Sequence, residues 1–267
     1  MSSGTRGSSR SRASSVRRAE RTGSARTRMI GAVTFDHWDT LVHDPRGIRP
    51  RQLAAWLDVL EPHGHEVERT ALEAAFDANW EIFERRWEAN VQHGPRESVP
   101  VILERLGLTC DAIVQEELVD AFAYAGREAG LQVAEGAHET LEALRVAGLR
   151  LGIVCDVGLT SSSTLLERLE RFGLLPLFDH WSFSDEVGCF KPYPPIFEHA
   201  LAGLGIEDAS SVAHVGDGRR TDVAGALAMG MTAVRATWFA DRGPETGPEA
   251  HLVAAHIRDI PALLGVA

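Results

Sequence analysis

Four short apolar runs in this chain each lead into an acidic residue, and that recurrence narrows the folds open to it. Ala32–Phe35 ends on Asp36. Leu151–Val154 leads into Cys155-Asp156, followed by helical spacing from about Ser162 to Phe172. Trp181–Phe183 leads toward Asp185-Glu186. Val212–Val215 leads into Gly216-Asp217 and helical spacing from about Thr221 to Met229, and a fifth run, Met231–Ala236, follows. Strands alternating with helices imply an α/β fold, a Rossmann-like parallel sheet covered on both faces. Right-handed crossovers set the strand ends along one edge, where open α/β sheets bind ligands. Asp36, Asp156, Asp185 and Asp217 therefore belong near one edge.

About 110 residues of different texture separate the first two runs. Leu53–Leu60, Val67–Trp87, Val99–Leu106 and Ile113–Tyr124 show helical spacing. Residues 46–134 read as an inserted helical subdomain, with the core made from 29–45 and 135–267. The apolar stripe Ala75, Phe76, Trp80, Phe83 and Trp87 reads as core of that subdomain rather than a ligand box. His63, His65 and His93 lack metal-ligand spacing and read as surface or loop histidines.

Charge divides the chain unevenly. Residues 1–28 hold eight Arg and one Glu, so they carry +7, and the rest carries −18 of the total of −11. That first segment, rich in Ser, Gly and Thr, is expected to be disordered: a basic arm, a transit peptide or a dispensable extension. The acidic body argues against nucleic acid as a partner. No run reaches the ~18 apolar residues of a membrane span. Three widely spaced cysteines, Cys110, Cys155 and Cys189, argue against a disulfide framework and fit a reducing, cytoplasmic setting. A small-molecule substrate is the expected partner.

Of the 27 basic residues, only Lys191 is lysine. Where guanidinium serves everywhere else, a lone ammonium suggests a place that needs its compact charge. Lys191 lies in Gly188-Cys-Phe-Lys-Pro, one of four ordered segments. The others are Asp36-His-Trp-Asp-Thr-Leu, Val154-Cys-Asp-Val-Gly-Leu-Thr and His214-Val-Gly-Asp217-Gly-Arg-Arg-Thr-Asp222.

In order and spacing these segments resemble the haloacid dehalogenase (HAD) superfamily, over roughly residues 30–45 and 136–240, with the insertion resembling the helical cap some members carry. The resemblance implies that Asp36 is a nucleophile forming a covalent intermediate, with Lys191 offsetting charge beside it. It implies Mg²⁺ held by Asp36, the backbone carbonyl of Trp38 and Asp217, with Asp222 direct or behind them; a helix-start acid favoured by the dipole is the other reading of Asp222. Clustered carboxylates would raise one another's pKa without such a cation. The cap contains no lysine, so the Schiff-base chemistry of phosphonoacetaldehyde hydrolases is disfavoured.

The sequence departs from the family pattern twice. HAD phosphatases place a second aspartate two residues after the nucleophile, as general acid and base. Trp38 stands there instead, and Asp39 comes one residue later. The second motif offers Cys155, a poor donor, where a hydroxyl usually holds phosphate. Asp156 follows, either a substitute acid/base that also touches substrate or a carboxylate capping the Thr160–Thr164 turn. Haloacid dehalogenases likewise carry an aromatic residue at the Trp38 position, but they need no metal and lack the Gly-Asp pair. The expectation is a Mg²⁺-dependent hydrolase of a small phosphorylated metabolite with a good leaving group. Dehalogenase-like attack at carbon and a catalytically silent binding fold are the alternatives. Trp56, Trp80, Trp87 and Arg96 are scattered cap candidates for substrate contact.

Overall fold

The computed structural model describes residues 29–45, 47–125, 130–239 and 247–266. The expected disorder of residues 1–28 lies outside them. In chain order the elements begin with β1 (Ala32–Phe35), β2 (Val42–His43), α1 (Arg49–Leu60), α2 (Arg69–Glu88), α3 (Pro95–Leu106), α4 (Ala112–Tyr124) and β3 (Gln132–Val133). The chain continues through α5 (Ala137–Val146), β4 (Arg150–Cys155), α6 (Ser162–Arg171), β5 (His180–Phe183), α7 (Ser184–Val187), α8 (Pro194–Gly203) and β6 (Val212–Gly216). It closes with α9 (Ala224–Ala228), β7 (Thr232–Ala236), β8 (Leu252–Ala254) and α10 (Ile260–Leu263).

Six strands form one parallel sheet in the order β5-β4-β1-β6-β7-β8. The first strand is central, and the order reverses direction across it, which leaves a crevice beyond its C-terminal end. Register aligns the acidic ends: Phe35 lies opposite Ile153 on one side and Val215 on the other. The three central strands are continuous in burial, as a sheet covered on both faces requires. One face packs Val33, Phe35 and Ile153 against Leu141, Leu165 and Ile260 of α5, α6 and α10. The other packs Ala32, Val154 and Ala233 against Phe197 and Ala226 of α8 and α9. Gly225 lets α9 come that close, because a Cβ there would fall 2.3 Å from Phe197 Cε2.

The short antiparallel pair β2–β3 carries the chain out to α1–α4 and back, with Val42 opposite Val133. Those four helices bury a separate cluster of Leu53, Trp56, Phe76, Ile102, Leu118 and Phe122. Trp56 sits edge-on to Phe76 and Phe122, whose rings stack on each other at 5.1 Å. Capping sets the helix ends: Asp111 accepts from Ile113 N and Val114 N to open α4, and Gly107, at φ 66°, closes α3.

In the fold the structure departs from the sequence reading at two elements, and it buries one residue more deeply than a loop position implies. β8 is a short strand that no long apolar run announces. The helix expected from Thr221 begins instead with a wide π-type turn, Arg219–Val223, in which Gly218 O accepts from both Asp222 N and Val223 N. His93 is in a loop but buried, bonded to Asn79 Oδ1 at 2.9 Å and Arg86 Nη1 at 3.0 Å.

Trp56 is fully buried within the cluster of α1–α4, so Trp56→Ala should cost about 3–5 kcal/mol of stability. A denaturant titration followed by circular dichroism would measure it. A loss below about 1 kcal/mol would show that the helical cluster does not depend on that ring.

Candidate active site

At the strand ends Lys191 projects from the segment before α8 into the crevice. Its Nζ lies 2.6 Å from Asp36 Oδ1 and 2.6 Å from Asp222 Oδ1, and all three groups are buried. Asp36 enters this place because its backbone N donates to Val215 O, which extends the β1–β6 pairing one residue past the strand. Asp222 is brought in by the π-type turn, where its Oδ2 accepts from Gly218 N at 2.9 Å. Its Oδ1 also faces His214 Nε2 at 3.0 Å, and His214 Nδ1 faces Thr34 Oγ1 at 2.8 Å. Gly216 leaves room for that carboxylate: a Cβ would fall 2.2 Å from Asp222 Cγ. These bonds make Asp222 part of the buried charge network, beyond a helix-start acid.

Electrostatics sorts the charges. Burial alone would lower the Lys191 pKa, but Asp222 and Asp36 outweigh it and hold the ammonium well above its ordinary range. Burial would raise Asp222, yet Lys191 and then His214 hold it well below the usual carboxylate value. Asp36 goes the other way. Burial, with repulsion from Asp222 and Asp217, raises it well above its ordinary value despite Lys191. Burial lowers His214, which fits a neutral ring that donates from Nε2 and accepts at Nδ1 from Thr34.

Asp36, Asp217 and Asp222 each place a carboxylate oxygen within 4.8 Å of the others. Hard oxygen donors crowded beside one ammonium, with Asp36 pushed toward protonation, fit a divalent cation. The neighbouring turn leaves one more donor. Leu41 N and Val42 N donate to His37 O, and Asp39 N donates to Val42 O. The Trp38 carbonyl takes part in none of these bonds.

The remaining sequence candidates fall in different places. Trp38 lines the cleft beside Asp36, with the buried Arg168 guanidinium 5.3 Å from its ring centroid and His37 edge-on at 4.9 Å. Burial brings Arg168 down to about 10, with Asp44 opposing. Asp39 adopts φ 54° and faces His43 Nδ1 at 2.6 Å, so its carboxylate is held to a partner. Cys155 is fully buried, does not line the cleft, and directs Sγ at the Asp156 carbonyl; burial keeps it a neutral thiol. It is poorly placed to hold a phosphate.

Asp156 does line the cleft. Its Oδ1 accepts from Lys191 N at 2.9 Å and its Oδ2 from Trp87 Nε1 at 3.2 Å. Burial raises its pKa against those donors and the Lys191 charge. It does not cap α6. Ser161 Oγ accepts from Thr164 N, and Asp185 Oδ2 accepts from Ser162 N. Asp185 is thus at the expected edge but occupied with the helix start.

The α2 wall of the cleft is aromatic. Phe76, Trp80, Phe83 and Trp87 all line a cavity of about 800 Å³, so the stripe read as core also faces the ligand space. Trp56 is core and Arg96 pairs with Glu116 on the surface, and neither lines the cleft. Three residues given no individual role in the sequence reading carry the arrangement: Thr34, His214 and Asn90. A histidine inside an apolar strand was a signal for one of them. Asn90, at φ 55°, accepts from Phe190 N at 2.9 Å and so joins the end of α2 to the lysine loop.

Residues 30–230 match the family model for haloacid dehalogenase-like hydrolases. The chain belongs to that family. Haloacid dehalogenase-like hydrolase domain-containing protein 3 of Bos taurus is 30% identical over 251 residues, covering 86% of this chain and 92% of its own. Glyceraldehyde 3-phosphate phosphatase of Pyrococcus abyssi is 30% identical over 211 residues, covering 79% and 82%. The crystal structure of 2-haloacid dehalogenase from Pseudomonas syringae superposes with a TM-score of 0.67 at 25% identity, over 89% of this chain and 99% of that one. The protein is therefore a hydrolase of the HAD superfamily with phosphatase-named relatives. Among the described residues no helix is long and apolar enough to cross a membrane.

One measurement tests the charge network and a second tests a buried histidine next to it. Lys191→Met would leave two buried carboxylates facing each other and should cost about 3–5 kcal/mol in metal-free buffer. A calorimetric scan that matched the unsubstituted protein would show that the ammonium is not what holds them. The second concerns His37, a fully buried ring with neither nitrogen hydrogen-bonded among the described residues; burial lowers its pKa to about 3. Unfolded histidine takes up a proton below about 6.5, whereas the folded ring resists until about 3. Stability from this group is therefore full above about 6.5 and falls with pH, by about 1.4 kcal/mol per unit. Unfolding midpoints from pH 7 to 5 should show a shallower slope for His37→Phe than for the unsubstituted protein.

Proposed function

We propose that this HAD hydrolase is a Mg²⁺-dependent phosphatase with Asp36 as nucleophile, acting on a small phosphorylated metabolite with a good leaving group. The observation that carries the reading is the buried Asp36–Lys191–Asp222 arrangement with Asp217 alongside, next to a tryptophan where the proton donor would stand. Asp36, Asp217, Asp222 and the Trp38 carbonyl would hold the metal, which would neutralise charge on the phosphoryl oxygens. An Asp36 oxygen attacks phosphorus, and the bond from phosphorus to the leaving oxygen breaks with its electron pair on that oxygen. Water then attacks the same phosphorus and frees the Asp36 carboxylate. Lys191 stays charged throughout and offsets the negative charge that Asp36 and the phosphoryl group bring together.

Asp156 is a positioning group in this scheme. Both of its oxygens already accept donors, and through them it orients Lys191 and the cap residue Trp87. Helices α1–α4 act as the cap that chooses the substrate. Three free, buried cysteines are consistent with a reducing cytoplasm.

General acid–base help is worth ~10²–10⁴-fold, and Trp38 has no proton to give. Rates should therefore rise steeply as the leaving group's pKa falls, with acyl and aryl phosphates ahead of alkyl phosphates. A flat dependence would show that the tryptophan is not limiting. Trp38→Asp should raise alkyl phosphate turnover, and Asp36→Asn should abolish all of it. A dehalogenase-like reaction is favoured by one observation, the aromatic ring beside Asp36. Halide release in the presence of a chelator would support it, and strict dependence on Mg²⁺ would remove it.

A further inference from the structure

We infer that the substrate is an aryl phosphate whose planar ring lies against the cap helices. This rests on the phosphatase reading and adds the identity of the leaving group. Phe76, Trp80, Phe83 and Trp87 follow one another at steps of four, three and four, so they share one face of α2. That face lines the cleft that holds Asp36 and Lys191. Trp80 and Phe83 lie with ring centroids 5.0 Å apart, tilted by 33°. Phe76, stacked on Phe122, lines the same cleft. Trp80 remains 45% exposed, a large aromatic ring that the protein covers only in part.

Arg49, Gln52, Trp87 and Arg220 of the same wall are engaged with protein, and Glu84 faces the cleft beside them. Arg49 binds Asp77 at 2.6 Å and Glu73 O at 2.8 Å. Gln52 donates to Phe122 O and Leu159 O. Trp87 spends its N–H on Asp156, and Arg220 lies over the Trp87 ring at 5.5 Å with Glu88 beside it at 3.6 Å. A polyhydroxylated leaving group would meet mostly aromatic faces, and a second anionic group would meet Glu84. A flat apolar ring finds offset-stacking partners. Trp38 supplies an independent reason: phenols ionise near 10, far more readily than alkanols, and so leave without a proton donor.

The full-length protein with Mg²⁺ should be assayed on 1-naphthyl phosphate, phenyl phosphate, acetyl phosphate and glycerol phosphate. The expected kcat/KM for 1-naphthyl phosphate exceeds that for acetyl phosphate, although acetate is the better leaving group. Trp80→Ala should lower that ratio by roughly tenfold through KM. Equal use of acetyl phosphate with a ratio untouched by Trp80→Ala would overturn the inference and leave the phosphatase reading standing. Hydrolysis of none of the four would overturn the phosphatase reading. In that event titration with 1-naphthylmethylphosphonate decides the ring site: saturable quenching of tryptophan fluorescence, weakened in Trp80→Ala, supports it, and no saturable quenching overturns it.

Discussion

One ammonium between two carboxylates organises this molecule. Lys191 Nζ sits 2.6 Å from Asp36 and from Asp222, and all three are buried. A buried charge is tolerated only when paired and hydrogen-bonded, so each group constrains its neighbours. Asp222 needs Gly218 N, His214 and a π-type turn to reach the lysine. His214 in turn needs Thr34 on the central strand. The lysine loop needs Asp156 under its backbone and Asn90 on the preceding residue. Much of what makes the strand ends a site is the wiring that lets these charges stay buried.

The wiring also joins the apolar cluster of α1–α4 to the sheet. The end of α2 reaches the core through Trp87 on Asp156, Asn90 on Phe190 and Arg220 beside Glu88. The wall that would meet the leaving group and the loop that carries Lys191 are thus connected through single side chains. That connection gives Asp156 a structural reason to be a carboxylate. It accepts from two donors at once, and it does so in the shadow of a permanent positive charge.

Much of the architecture was legible in the sequence. Short apolar runs ending in acids are what a buried parallel sheet with a functional edge requires, and five runs correspond to five of the six strands of the sheet. The four helical segments were legible too, because an amphipathic stripe repeats over many residues. The lone lysine pointed to a place where charge is compact and confined. Less legible were features set by one or two residues. β8 has three residues and only one fully buried position. The π-type turn depends on where the Asp222 carboxylate finds its partners. Cys155 looked like a weak phosphate donor by position in its motif, yet its side chain turns into the core. The aromatic stripe of α2 looked like core because periodicity tells which residues share a face, without telling what that face meets.

The sequence by itself determined the fold class, the order of the motifs and the chemistry absent at position 38, because these follow from residue type and local spacing. Only the tertiary structure decided which charges are shared. The asymmetry between a depressed Asp222 and a raised Asp36 arises from groups brought together across as many as 186 positions of chain, and burial magnifies each interaction by removing water. The tertiary structure likewise decided that a stripe of rings faces a cleft while the arginines and glutamine beside it turn to protein partners. Those assignments depend on distances between elements, which local spacing along the chain does not encode.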